Sequence, residues 1–249
     1  MGTEAFMDEQ RKREPNRRGF LAATATLAVG AVWPVRLRAF PGEPQTAEAD
    51  KATPEEEVSP AEDLMREHGV LKRVLLVYGE VLRRLDARED LPPEALADSA
   101  GIIRNFIEDY HERLEESFLF PRFRKANTLV DLVDVLEAQH RAGRRVTDAT
   151  MRLSNLKAIR DPEQRRLLAD SLRAFIRMYA PHEAREDTVL FPALHRIVSG
   201  HEYDALGEQF EDEEHRLFGE DGFEKMVDRV AGVERRLGIY DLAQFTPRG

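Results

Sequence analysis

Apolar residues recur at helical spacing from Leu64 onward, with Leu64, Val70, Leu71, Val74, Leu75 and Leu82 on one face. Ahead of them, Ser59-Pro60-Ala61-Glu62 combines an N-cap, a proline at the first helical position and a capping-box glutamate. A first helix is therefore predicted over about 60–88. After Leu91-Pro92-Pro93, the residues Ile102, Ile103, Phe106, Ile107, Leu114 and Phe118 mark the buried side of a second helix, which Pro121 is expected to end. Asn127-Thr128 opens a third helix over about 129–154. Asp161-Pro162-Glu163-Gln164 repeats the cap-and-proline signature and starts a fourth, reaching to about 191. Pro181 falls inside this helix and is expected to kink it. Nothing in between reads as a strand. Long amphipathic helices with short connections predict an all-α, up-down-up-down four-helix bundle over residues 59–198.

Beyond the bundle, residues 199–249 read as a helical extension. Ser199-Gly200-His201-Glu202 resembles a capping box for a fifth helix over about 201–218, and Gly222 to Leu237 suits a sixth. Leu206, Phe210, Leu217, Phe223, Met226, Val227 and Val230 supply an apolar face, while Glu211-Asp212-Glu213-Glu214 reads as solvated. The extension is expected either to cap the bundle or to form a homodimer contact.

The first 40 residues have a different character. Arg11-Lys12-Arg13 and Arg17-Arg18 precede Phe20 to Trp33, an apolar run of 14 residues, too short and too mild for a membrane span. Asn16-Arg17-Arg18-Gly19-Phe20-Leu21-Ala22 closely resembles the twin-arginine export signal. The resemblance implies a partner in the twin-arginine translocation machinery, delivery of folded protein, and a periplasmic or otherwise extracytoplasmic location. Residues 41–58, with Pro41, Pro44, Pro54 and Glu55-Glu56-Glu57, read as a disordered acidic linker.

Composition narrows the chemistry. The chain has no cysteine, which excludes disulfides, thiolate metal sites and thiol catalysis. Any metal must be held by nitrogen and oxygen. The leader carries seven Lys/Arg against four Asp/Glu, so a net charge of -10 for the whole chain leaves -13 on the remainder. That balance argues against a nucleic-acid partner.

A duplication supplies candidate ligands. His111-Glu112-Arg113-Leu114-Glu115 and the following Phe120-Pro121 reappear 71 residues later as His182-Glu183-Ala184-Arg185-Glu186 and Phe191-Pro192. Each copy has a lone histidine upstream, His68 and His140, 72 residues apart. At 1.5 Å rise per residue, all four histidines fall ~12–18 Å from one end of the predicted bundle. Within each copy the His and the second Glu are i and i+4, so His111 with Glu115 and His182 with Glu186 share a helix face. Glu112 and Glu183 lie about a quarter turn away and suit outer contacts.

Four imidazoles and two carboxylates at one level suit a pair of metal ions. If Glu115 and Glu186 both bridge, each ion receives two nitrogens and two oxygens, a set that fits iron ahead of manganese or zinc. Neither copy has the second His of the HExxH zinc-protease helix. Glu108 and Glu137 form ExxH patterns with His111 and His140, but are read as solvated helix charges. Tyr110 and Tyr179 are expected to pack in the core, and His195, His201 and His215 to lie on the surface.

This ordered pattern resembles the hemerythrin-like, or HHE cation-binding, family. The resemblance implies a four-helix bundle with a non-haem di-iron site and His68, His111, Glu115, His140, His182 and Glu186 as metal ligands. Invertebrate oxygen-carrying members have a further His four residues after the third-helix histidine. Here that position is Arg144, expected to be exposed, so the implied site is the symmetrical one with four His and two Glu. The function expected is binding of a small diatomic or peroxide ligand, such as O2 or NO, in oxygen, iron or redox response. A peroxide-reducing or oxidase-like enzyme, or metal sequestration in the envelope, requires the same ligands.

Overall fold

The computed structural model describes residues 58–247; the leader and most of the linker expected from the sequence lie outside the described residues. Helix α1 is Pro60–Ala87. It starts where the Ser59 hydroxyl accepts the Glu62 amide, 3.3 Å away, and ends at Arg88 in the left-handed conformation. Helix α2 covers 93–125, α3 is Val130–Leu153, α4 is the short turn Leu156–Arg160, and α5 covers 162–197. Asp161 caps α5 by accepting from the amides of Glu163 at 3.1 Å and Gln164 at 2.8 Å. Helices α6, Gly200–Phe218, and α7, Gly222–Leu237, are the remaining long elements among the described residues. Among the described residues no strand occurs, and no helix is long and apolar enough to cross a membrane.

The four long helices pack in a closed circuit, α1 on α2, α2 on α3, α3 on α5 and α5 on α1. Val74, Val77, Tyr78, Leu96, Phe106, Leu136, Leu172 and Phe175 are buried between them. Each such large side chain removed from water contributes roughly 1.5–3 kcal/mol, against the entropy of ordering it. The result is a helical bundle, as the hydrophobic pattern predicts.

Two expectations about helix ends are corrected. Pro121 does not end the second helix, which continues to Lys125, and the fourth predicted helix runs to Ile197 rather than 191. Both prolines are preceded by a widened turn of π-helix, Glu115–Leu119 and Glu186–Leu190. There the amides of Phe120 and Phe191 reach back five residues, to the carbonyls of Glu115 and Glu186. The ladder has already changed register where the prolines arrive, so a residue without an N–H does not stop the helix. A further π-helical stretch spans Ile103–His111. Helix α5 also continues through Pro181.

The extension lies on the bundle. Helix α7 packs along α1 and the start of α2, and α6 packs on α1. Leu206, Phe210, Met226 and Val230 of the expected apolar face are buried, Phe223 and Val227 are half-buried, and Leu217 is exposed instead. Arg73 of α1 grips Glu234 of α7 with two hydrogen bonds, at 3.0 and 2.5 Å.

Candidate metal centre

All six residues predicted as ligands converge on one level of the bundle, each from a different turn or helix. His68 comes from α1, His111 and Glu115 from α2, His140 from α3, and His182 and Glu186 from α5. Their rings form two close pairs, His68 with His111 at 4.6 Å between centroids and His140 with His182 at 5.0 Å. The two carboxylates join the pairs crosswise. Glu186 Oε2 lies 3.4 Å from His68 Nε2 and 3.1 Å from His182 Nε2. Glu115 Oε2 lies 3.8 Å from His111 Nε2 and 3.4 Å from His140 Nε2. Each carboxylate thus touches one histidine of each pair, and the six groups close into a ring.

The opposite nitrogen of every imidazole is occupied. His68 Nδ1 meets Asp187 at 2.6 Å, His111 Nδ1 meets Glu67 at 2.5 Å, His140 Nδ1 meets Glu116 at 3.1 Å, and His182 Nδ1 meets Gln139 at 2.9 Å. A carboxylate or amide oxygen accepts, so the proton belongs on Nδ1 and the Nε2 lone pair turns inward. These four acceptors were missed in the sequence, although they obey the same repeat: Glu116 and Asp187 follow Glu115 and Glu186, while Glu67 and Gln139 precede His68 and His140. Phe191 stacks on His68 and Phe120 on His140, each at 5.5 Å, giving the repeated Phe-Pro a role beside the rings.

Arg144 is corrected from exposed to half-buried. Its guanidinium lies 2.8 Å from Glu116 and 2.8 Å from Glu112, so it steadies the acceptor of His140. Lys72, four residues after His68, holds Asp187 at 2.9 Å in the matching place. Glu108 is likewise corrected from solvated to fully buried, facing Arg104 at 2.9 Å, because the π-helical stretch that contains it turns it inward. Glu137 pairs with Arg124 and Arg141 near the surface, as expected. Tyr110 packs against Phe106 and Phe218. Tyr179 does more than pack, since its hydroxyl donates to Glu112 at 2.6 Å. This reach requires Gly143, where a Cβ would stand 2.0 Å from the Tyr179 hydroxyl oxygen. Glu183, the counterpart of Glu112, is also buried, whereas His195, His201 and His215 are exposed.

Burial sets the protonation of the ring. It pushes His140 down to about 4, against the pull of Glu116, and holds His111 well below the ordinary histidine value. It also lowers His68, but the hydrogen bond to Asp187 and the negative charge of Glu186 outweigh it and bring that group up to about 9. Burial, and then the negative charge of Glu186, hold Glu115 well above the usual carboxylate range. Glu186 stays low despite burial because His182 and His68 face it. Protein groups alone therefore leave the second carboxylate without a compensating cation.

The hydrogen-bond accounting points the same way. His111 Nε2, His140 Nε2 and both oxygens of Glu115 and Glu186 are buried with no hydrogen-bond partner. Orphaned buried polar atoms are costly, on the order of 1–3 kcal/mol each and more when charged, so their convergence fits an ion between them. His140, His182 and Glu186 bring ligand atoms within 4.8 Å of one another. Imidazole nitrogen with carboxylate oxygen suits iron, manganese or zinc.

A family model described as the hemerythrin HHE cation binding domain matches residues 59–194. Proteins described as uncharacterized from Mycobacterium bovis and Mycobacterium tuberculosis are 50% identical over 233 residues, covering 93% of this chain and 91% of theirs. No solved structure matches the chain.

Proposed function

Because the chain belongs to the hemerythrin HHE cation-binding family, we propose that it is a non-haem di-iron protein that takes up a small ligand such as O2, NO or peroxide. The four long helices are read as an up-down-up-down bundle over residues 59–198, with 199–249 as an added helical extension. His68, His111, Glu115, His140, His182 and Glu186 would hold the two ions. The observation that carries this reading is the alternation of two histidine pairs with two carboxylates around one ring.

Bound iron supplies redox chemistry and a coordination position open to a small ligand. The protein's own groups do the rest. Asp187, Glu67, Glu116 and Gln139 fix the four imidazoles through Nδ1, and the two buried carboxylates offset the charge of the cations. Phe120 and Phe191 screen the rings from water. A second reading, a peroxide-reducing or oxidase-like catalyst, draws on the Tyr179 hydroxyl and Glu112 carboxyl beside His182, which together can hold and pass a proton.

The Asn16 to Ala22 motif supports export of the folded, loaded protein by the twin-arginine machinery. Metal analysis of the purified protein tests the central reading: two irons per chain with near-ultraviolet oxo-iron bands are expected, and iron-free protein without such bands would sink it. Glu115→Ala combined with Glu186→Ala removes most of the metal if both carboxylates bridge. With iron present, a stable reversible adduct marks a binding protein, and multiple turnovers of peroxide mark the enzyme.

A further inference from the structure

The outer acceptors of the two halves of the ring differ in kind at one place, where a carboxyl group faces an amide. Glu67 and Gln139 occupy matching places and accept from His111 and His182 in the same way. An amide is enough for that task, so the carboxyl group of Glu67 is free to serve a second one. Its Oε2 faces His111, while its buried Oε1 makes no hydrogen bond of good geometry and lies beside the buried Tyr110 hydroxyl. Carboxylate oxygens of Glu67, Asp63 and Glu214 lie within 4.8 Å of one another.

Asp63 and Glu214, with Glu67 adjoining them, line a cavity of about 490 Å³ between α1 and the C-terminal extension, together with Asp204, Glu208, Glu211 and Glu224 among others. The cavity is strongly acidic, with Arg66 the one lysine or arginine in its lining among the described residues. Glu214 belongs to α6, outside the 59–194 match, and turns inward from an acidic run expected to be solvated. It is held by the Phe223 amide at 2.9 Å. Gly222 makes room for it, since a Cβ there would stand 2.7 Å from Glu214 Oε1. The other half of the repeat lacks this arrangement: the residue matching Asp63 is Val135, which is exposed. Three carboxyl groups brought together at a partly buried position repel each other when ionised, unless a proton or a cation lies between them.

We propose that Asp63, Glu67 and Glu214 form a separate divalent-cation site, reached through the acidic cavity, from which ions pass to the ring through the Glu67–His111 contact. The site itself stands on its own geometry, whereas the delivery role rests on the di-metal reading. The negative cavity concentrates cations at its floor, and Glu67 touches both the site and a ring histidine. The extension is then a functional part of the metal protein.

The test uses full-length protein, as wild type, Asp63→Asn and Glu214→Gln, none of which alters a ring residue or its Nδ1 acceptor. Iron-loaded wild type is expected to bind one Mn(II) more than either variant, counted by paramagnetic resonance of free Mn(II). Apo variants are expected to load Fe(II) into the ring about tenfold more slowly than wild type, by loss of electrostatic focusing, to the same final ring content. Equal Mn(II) counts in the three folded proteins overturn the site, and equal loading rates overturn delivery. Far-ultraviolet circular dichroism checks the fold, and the acid-to-amide changes keep side-chain volume. If wild type holds no ring iron yet binds one Mn(II) that Glu214→Gln abolishes, the di-iron reading fails and this site remains.

Discussion

Arg144 Nη1 lies 2.8 Å from Glu116 Oε1, and Glu116 in turn accepts from His140. A residue that marks a departure from the oxygen carriers thus acts on the metal centre indirectly. Lys72 performs the same service for Asp187 and His68. Arg144→Ala is expected to lower metal affinity about tenfold or more, the usual scale for groups that orient ligands. Chelator competition measures it, and unchanged affinity would show that Glu116 needs no support. Arg144→Lys should recover only part, because a single ammonium cannot span Glu112 and Glu116 together.

Gly143→Ala is expected to destabilise the protein by about 1–3 kcal/mol despite the better helix propensity of alanine, because the new methyl collides with Tyr179. Adding Tyr179→Phe removes the nearest colliding atom and should restore part of the loss. Urea unfolding of the single and double variants decides the matter. A neutral or stabilising Gly143→Ala would mean that Tyr179 is free to move aside.

Asp63 gives the apo protein a pH dependence. Burial, with Glu67 and Glu214 adding repulsion, raises it from 3.8 to about 7. The folded chain therefore binds more protons than the unfolded chain between these values, and stability falls as pH rises through that window. Asp63→Asn should flatten this slope and stabilise apo protein at pH ~8, on the order of 1 kcal/mol or more after allowance for solvent screening. Saturating Mn(II) should remove the advantage of the variant. Parallel pH–stability curves for the two proteins would show that Asp63 does not feel its neighbours.

Replacement of Arg17-Arg18 by Lys-Lys is expected to retain the protein in the cytoplasm, followed by fractionation. Trp33 is the single tryptophan and falls within the first 40 residues, the segment proposed as the export signal. Exported, cleaved protein should therefore show tyrosine fluorescence alone. Tryptophan emission from the exported form would mean that the leader stays attached.

The sequence by itself determined the helices and the inner ring. Caps at Ser59, Asp161 and Ser199 place helix starts through local side-chain-to-amide bonds, and i, i+4 spacing puts each His above its Glu. Because the inner residues come twice in the same order, matching helix levels brings them together. What surrounds them required tertiary structure. Whether Arg144 or Glu108 meets water depends on how far the π-helical stretches rotate α2 against α3, which an average helical period does not encode. The outer acceptors of the histidines come from other helices, at separations such as the 119 residues between His68 and Asp187. Only packing chose between capping and exposure for the apolar face of α6 and α7, and that choice brought Glu214 to Asp63 and Glu67. Local rules decide which way one side chain points along its own helix; only the packed bundle decides what it meets there.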